Sequence, residues 1–311
     1  MNTTNTPSIS ARIPTGLGKP CDSHLESTML GLSTRFAIDR PALFWMAVLF
    51  CCLSISTPAH AQGGTARYIT GVGPIMRLGN LEYVEVNTSV LDVVPKQLIV
   101  FVHGTPGSLL AFLRYVNDPA MRENFHMISV TRPGWVDDSD EKISSLQAQA
   151  KALEPLLRMD RSGKGAILMG HSYGGPVIAR TAMDYPELVS GLVFVATTGD
   201  PELSGPRWYN RFAVVLPRFL LGTSLKGANA EIMPLQPQLE AMLPRWQNLT
   251  MPVLIVQGDR DSLVNPGNAN FMASMLVNSD VTYLHREGQG HFVLWEEADL
   301  IIDSLLKKFN F

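Results

Sequence analysis

Residues 166–175 constrain this chain more than any other stretch. The apolar run Ala166-Ile167-Leu168-Met169 leads directly into Gly170-His171-Ser172-Tyr173-Gly174-Gly175, and Pro176 to Met183 reads as a helix. A buried strand that becomes a helix over so few residues needs a sharp turn, with a serine at its tip. Glycines two positions before and after Ser172 suit that turn, because side chains there would collide. The turn is a nucleophile elbow: it holds the serine hydroxyl in the open at the end of a sheet.

The rest of the chain has to supply that sheet. Gln97 to Val102, His126 to Val130, Gly191 to Ala196, Met251 to Gln257 and Val281 to Leu284 are predicted strands, several of them continuous apolar runs suited to burial on both faces. Pro74 to Leu78 and Leu81 to Val86 flank Gly79-Asn80 and predict a hairpin at a sheet edge. Helices are predicted at Ser108 to Asn117, from Ser144 or Ser145 as cap with Leu146, Ala150, Leu153 and Leu157 on one face, at Asn268 to Val277, and at Glu296 to Phe309. Alternating strands and helices imply an α/β fold with a mostly parallel sheet covered on both faces. Residues 201–250 depart from the pattern: Pro201, Pro206, Pro217, Pro234, Pro237 and Pro244 break it into short helices, expected as a cap or lid over the strand ends.

The first 61 residues read as a leader. Arg35 and Arg40 precede the apolar stretch Pro41 to Ile55, and Ala59-His60-Ala61 has the small residues of a signal-peptidase site, which makes Gln62 the expected mature N-terminus. Initiation at Met29 would leave a leader of ordinary length. The expected location is periplasmic or secreted, with no membrane span after cleavage; the alternative is an uncleaved anchor, although the apolar segment falls short of the roughly 20 residues a bilayer requires. Cys51-Cys52 suits a lipoprotein poorly, because Leu49-Phe50 precedes it. All three cysteines lie in this leader, so residues 62–311 carry no thiol chemistry and rely on core burial. With a formal net charge of −3 and no long basic run, nothing points to nucleic acid.

A serine needs a base, and the base an orienting acid. His291, in the glycine-rich Glu287-Gly288-Gln289-Gly290-His291-Phe292, is the candidate base. Asp261, in Gly258-Asp259-Arg260-Asp261-Ser262, is the candidate acid, with Asp259 and Asp200 as rivals. Each follows a strand, and parallel strands bring such loops to one rim. In His103-Gly104-Thr105-Pro106-Gly107 the backbone N–H of Thr105 can face a developing oxyanion, together with the N–H of Tyr173. His103 reads as a residue that holds loops, and His171 as one that packs beside the pocket. Trp135, Trp208 and Trp246 suit core or lid packing. No ligand spacing argues for a metal or another cofactor.

These pieces, together with Arg132-Pro133-Gly134-Trp135, resemble the α/β-hydrolase superfamily over nearly all of residues 62–311. The resemblance implies an eight-stranded, mostly parallel sheet with a helical cap after the sixth strand. It also implies Ser172 as nucleophile, Asp261 as acid, His291 as base, and Thr105 and Tyr173 as oxyanion donors. The implied activity is hydrolysis of a carboxylic ester, and the apolar, proline-broken insertion suggests a hydrophobic small-molecule acyl substrate of either short or long chain. An acyltransferase, a carbon–carbon bond hydrolase, a cofactor-free peroxidase-like enzyme or a non-catalytic binding protein on the same scaffold are the alternatives. A serine at the elbow disfavours the family's aspartate-dependent branches.

Overall fold

A computed structural model describes residues 67–87, 94–137, 142–215 and 218–309. The expected leader, residues 1–61, lies outside them, as do the side chains of Trp208 and its neighbours. Two short strands, β1 (Tyr68–Ile69) and β2 (Gly73–Pro74), pair with each other before the main sheet begins. Then follow β3 (Met76–Leu78), β4 (Leu81–Val86) and β5 (Gln97–Val102). A 3-10 turn at Leu109–Phe112, capped by the Ser108 hydroxyl, continues into α1 (Leu113–Val116) and α2 (Pro119–Asn124). Next come β6 (Phe125–Thr131), α3 (Leu146–Leu157), β7 (Ala166–His171), α4 (Gly174–Asp184) and β8 (Val189–Val195). The proline-broken segment forms α5 (Trp208–Val215), α6 (Arg218–Ile232, interrupted at Gly222), α7 (Leu235–Met242) and a 3-10 turn at Leu243–Asn248. The chain closes with β9 (Val253–Gly258), α8 (Gly267–Met275), β10 (Val281–Arg286), α9 (Val293–Glu296) and α10 (Ala298–Phe309).

Eight strands form one sheet in the order β10-β9-β8-β7-β5-β6-β4-β3. β3, β4 and β6 pair antiparallel at one edge, and every pairing from β6 through β10 is parallel. β5 shows why its sequence is an unbroken apolar run. Leu98, Val100 and Val102 enter the core on one face, against α3 and α4, while Ile99 and Phe101 enter the core on the other, with Phe112, Tyr115 and α10. A strand with both faces dry has no place for polar alternation. Among the described residues no helix is long and apolar enough to cross a membrane.

The segment between β8 and β9 has two halves. Leu235, Leu239, Met242, Trp246 and Leu249 belong to the main core; of α5 and α6, none of the residues whose side chains are described belongs to it. The last helix, α10, starts two residues after its expected start and ends where expected. A short turn of helix, α9, precedes it, set apart at Glu297, whose backbone leaves the helical region at φ −120°, ψ 34°. The reason is tertiary: the Glu297 carboxylate is held by the Arg286 guanidinium at the end of β10.

Beside the turn that follows β7, two backbones come very close. A Cβ placed on Gly174 would lie 2.2 Å from the Val102 carbonyl oxygen, and one on Gly170 would lie 2.7 Å from the Gly174 carbonyl. Such overlap forces the β5–β7 contact apart, so Gly174→Ala is expected to cost about 3 kcal/mol or more, measured as the shift in urea-unfolding stability.

Candidate active site

The loops that follow β5, β7, β9 and β10 leave the same rim of the sheet, because those strands are parallel. Ser172 sits one residue past β7 with φ 54°, left-handed backbone that costs a non-glycine residue on the order of 1–2 kcal/mol. The fold holds it there: its N–H donates to Val195 of β8 at 3.1 Å, and its carbonyl accepts from Gly175 N–H at 3.0 Å. The loop after β5 lies directly against it, since a Cβ on Gly104 would be 2.8 Å from the Ser172 Cβ. Among the described residues, neither the Thr105 N–H nor the buried Tyr173 N–H donates to an acceptor. The buried Thr105 hydroxyl likewise has no partner there.

Asp261 and His291, 30 residues apart, meet at 2.8 Å between Oδ2 and Nδ1. The Asp261 carboxylate is fully buried and saturated with donors. Its Oδ1 accepts from the N–H groups of Leu263 and Val264 at 2.9 Å each, and its Oδ2 also accepts from Gln257 Nε2 at 3.1 Å. Burial alone would raise its pKa. The His291 hydrogen bond and charge and the two backbone donors outweigh that and hold it below the usual carboxylate value, so the ring faces a carboxylate rather than an acid. The rival carboxylates are used elsewhere. Asp259 accepts from Gly288 N–H at 2.8 Å, a turn contact, and Asp200 accepts from Glu202 N–H at 2.9 Å in a loop tied to Asn268.

His171, the last residue of β7 and the one before Ser172, packs against His291. Its Nε2 is 3.2 Å from the His291 carbonyl oxygen, which can only accept, so Nε2 carries the proton. Its ring lies 4.9 Å from the rings of both His291 and Trp295. Burial, and then the neighbouring His291, push its pKa down to about 3.

His103 is buried and tied in at both nitrogens, accepting from the Arg132 N–H at Nε2 (3.0 Å) and donating from Nδ1 to the Gly104 carbonyl (2.7 Å). Burial and the Arg132 charge hold it neutral. Trp246 is buried between Phe194 and Phe271, while Trp135 donates to Glu231 at 3.0 Å. Among the described residues no group of three or more His, Asp or Glu stands together as metal ligands.

Sequence reasoning missed what holds this rim from behind. Arg132, quoted above only as part of a motif, is fully buried one residue past β6 and ion-paired with the fully buried Glu231 of α6 at 2.6 Å. A charged residue immediately after a strand buried along its whole length was the only local signal.

The model of the alpha/beta hydrolase family matches residues 99–304. The chain belongs to this family. Within it, the chain is 31% identical over 113 residues to the uncharacterized hydrolase YugF of Bacillus subtilis (strain 168), covering 36% of this chain and 40% of that one. It is 24% identical over 188 residues to the monoglyceride lipase of Homo sapiens, covering 50% of this chain and 60% of the lipase. The chain thus spans well under two thirds of these relatives' lengths. Among solved structures, the enol-lactonase from Burkholderia xenovorans LB400 superposes with a TM-score of 0.59 at 14% identity, over 76% of this chain and 100% of that one, a likeness of fold.

A histidine buried neutral takes up a proton in the unfolded chain below about pH 6.5 but in the fold only near its depressed pKa. Its contribution to stability is complete above pH 6.5 and is lost as the pH falls toward 3. His171→Gln keeps an N–H for the His291 carbonyl and cannot titrate. Between pH 6.5 and 4 its stability curve should be flatter than wild type by up to about 1.4 kcal/mol per pH unit, read from urea unfolding across that range.

Proposed function

We propose that the protein is a serine hydrolase that cleaves a carboxylic ester through an acyl-enzyme. The observation that carries the reading is the buried Asp261–His291 pair, whose His291 packs against His171, the residue beside Ser172, itself held at φ 54°. In this reading the Ser172 oxygen attacks the ester carbonyl carbon while its proton passes to His291 Nε2. The carbonyl electron pair moves onto oxygen, where the N–H groups of Thr105 and Tyr173 stabilise the charge. His291 then gives the proton to the departing alkoxide, leaving Ser172 acylated. Water repeats the cycle: its proton goes to His291, its oxygen to the acyl carbon, and the acid leaves as the proton returns to Ser172. Asp261 keeps the Nδ1–H tautomer facing inward and offsets the imidazolium charge.

The surroundings support an apolar acyl group and no buried ionic one. Phe292 follows the base and is 41% exposed, and its ring is 5.9 Å from that of Trp295, itself 43% exposed. Trp295 donates to the Ala111 carbonyl at 2.9 Å, next to the exposed Leu110 of the turn behind the oxyanion loop. Large apolar side chains left in solvent at the edge of a site are a natural seat for a hydrocarbon chain. We read the chain as exported, on the strength of its leader sequence.

Purified protein assayed on p-nitrophenyl esters from acetate to palmitate should show turnover that Ser172→Ala reduces by about 10³-fold or more. Turnover that survives in Ser172→Ala would sink the assignment. A second outcome tests the apolar edge. Phe292→Ala should raise KM several-fold for medium and long acyl chains while leaving acetate within about twofold, since each buried methylene is worth about 0.8 kcal/mol.

A further inference from the structure

Arg132 has five N–H groups on its guanidinium, and the fold uses all five. Nε donates to the His103 carbonyl at 2.9 Å, and Nη2 to the Gly104 carbonyl at 2.7 Å. Nη1 donates to Gln149 and Glu231 at 2.6 Å each, and Nη2 also to Glu231 at 3.0 Å. Its backbone N–H fixes the tautomer of His103, whose Nδ1 shares the Gly104 carbonyl.

The Gly104 carbonyl belongs to the same planar peptide as the Thr105 N–H. In a trans peptide those two groups point in opposite directions. Two donors clamped on the carbonyl therefore set the direction of the N–H, and they aim it away from Arg132. Arg132 also packs its guanidinium 4.9 Å from the centre of the Tyr173 ring, the residue that bears the other donor. Both oxyanion donors thus rest on one cation that never reaches the substrate.

A fully buried guanidinium needs a counter-charge. Glu231 provides it, and Glu231 belongs to α6, none of whose described side chains joins the main core. Trp135 and Gln149 also donate to Glu231, at 3.0 and 3.2 Å. We propose that Arg132 is a positioning residue for the Thr105 and Tyr173 donors, and that Glu231 completes its setting, so that the oxyanion hole is formed only while α6 is seated on the rim. This rests on the serine-hydrolase reading above.

The test is the kinetics of Ser172 phosphonylation by a fluorophosphonate, which needs no knowledge of the natural substrate. The labelling amplitude counts intact sites, and the rate constant reports how well each site stabilises the oxyanion. Two variants serve: Glu231→Gln, which leaves the cation unbalanced, and the double variant Arg132→Met with Glu231→Leu, which removes both charges and refills the volume. Apolar replacement of a buried ion pair is commonly tolerated by the fold. Both variants should label at least tenfold more slowly per intact site, and the double variant should do so with an unfolding midpoint close to wild type. Wild-type labelling rates in the double variant, or a Glu231→Gln defect confined to amplitude, would show that the pair is merely structural and overturn the proposal. Wild-type protein that does not label at all would instead remove the serine-nucleophile reading itself.

Discussion

The parallel run of β5, β7, β8, β9 and β10 is the constraint from which the site follows. Each of those strands ends on the same rim, so His103, Ser172, Asp261 and His291 are collected there although nearly 190 residues separate the first from the last. The sheet also decides how tight the collection is. Ser172 donates its N–H to β8, Gly174 lies against the β5 carbonyl of Val102, and Gly104 lies against Ser172. Backbone touching backbone leaves little freedom for error in the direction of a side chain.

Charge is handled in two distinct ways around that rim. His103 and His171 are kept neutral by burial and serve as shaped hydrogen-bonding groups, each with its proton on a defined nitrogen. Asp261 and the Arg132–Glu231 pair are buried and surrounded by partners suited to charge, with every donor of the guanidinium matched. The first arrangement costs stability in acid. The second costs desolvation, which only complete hydrogen bonding offsets.

How much of this the residues disclosed in advance depends on the range of the interactions. β5 was legible to the residue because burial on both faces leaves an unbroken apolar run, and Ser145 was legible as a cap because the cap acts on its own backbone neighbours. The elbow was legible for the same reason: its glycines answer to collisions within the turn and with the strand beside it. Glu297, which separates α9 from α10, answers to Arg286, and Glu231 answers to Arg132 across 99 residues. No local pattern encodes a partner that distant. The prolines of residues 201–250 disclosed short helices, but not that Trp246 and Leu239 belong to the main core.

The attachment of that segment has a consequence for how such a chain can change. The insertion is rooted in the core at its far end by Leu235, Leu239, Met242, Trp246 and Leu249, tied to the rim by Glu231, and held near its start by Ser204, whose hydroxyl donates to Asn268 of α8. Substitutions and changes of length there, between Pro201 and the turn of α6 that carries Glu231, leave the pairing of β8 with β9 untouched. What lies over the rim can therefore change in shape and length while the sheet beneath it keeps its pairing.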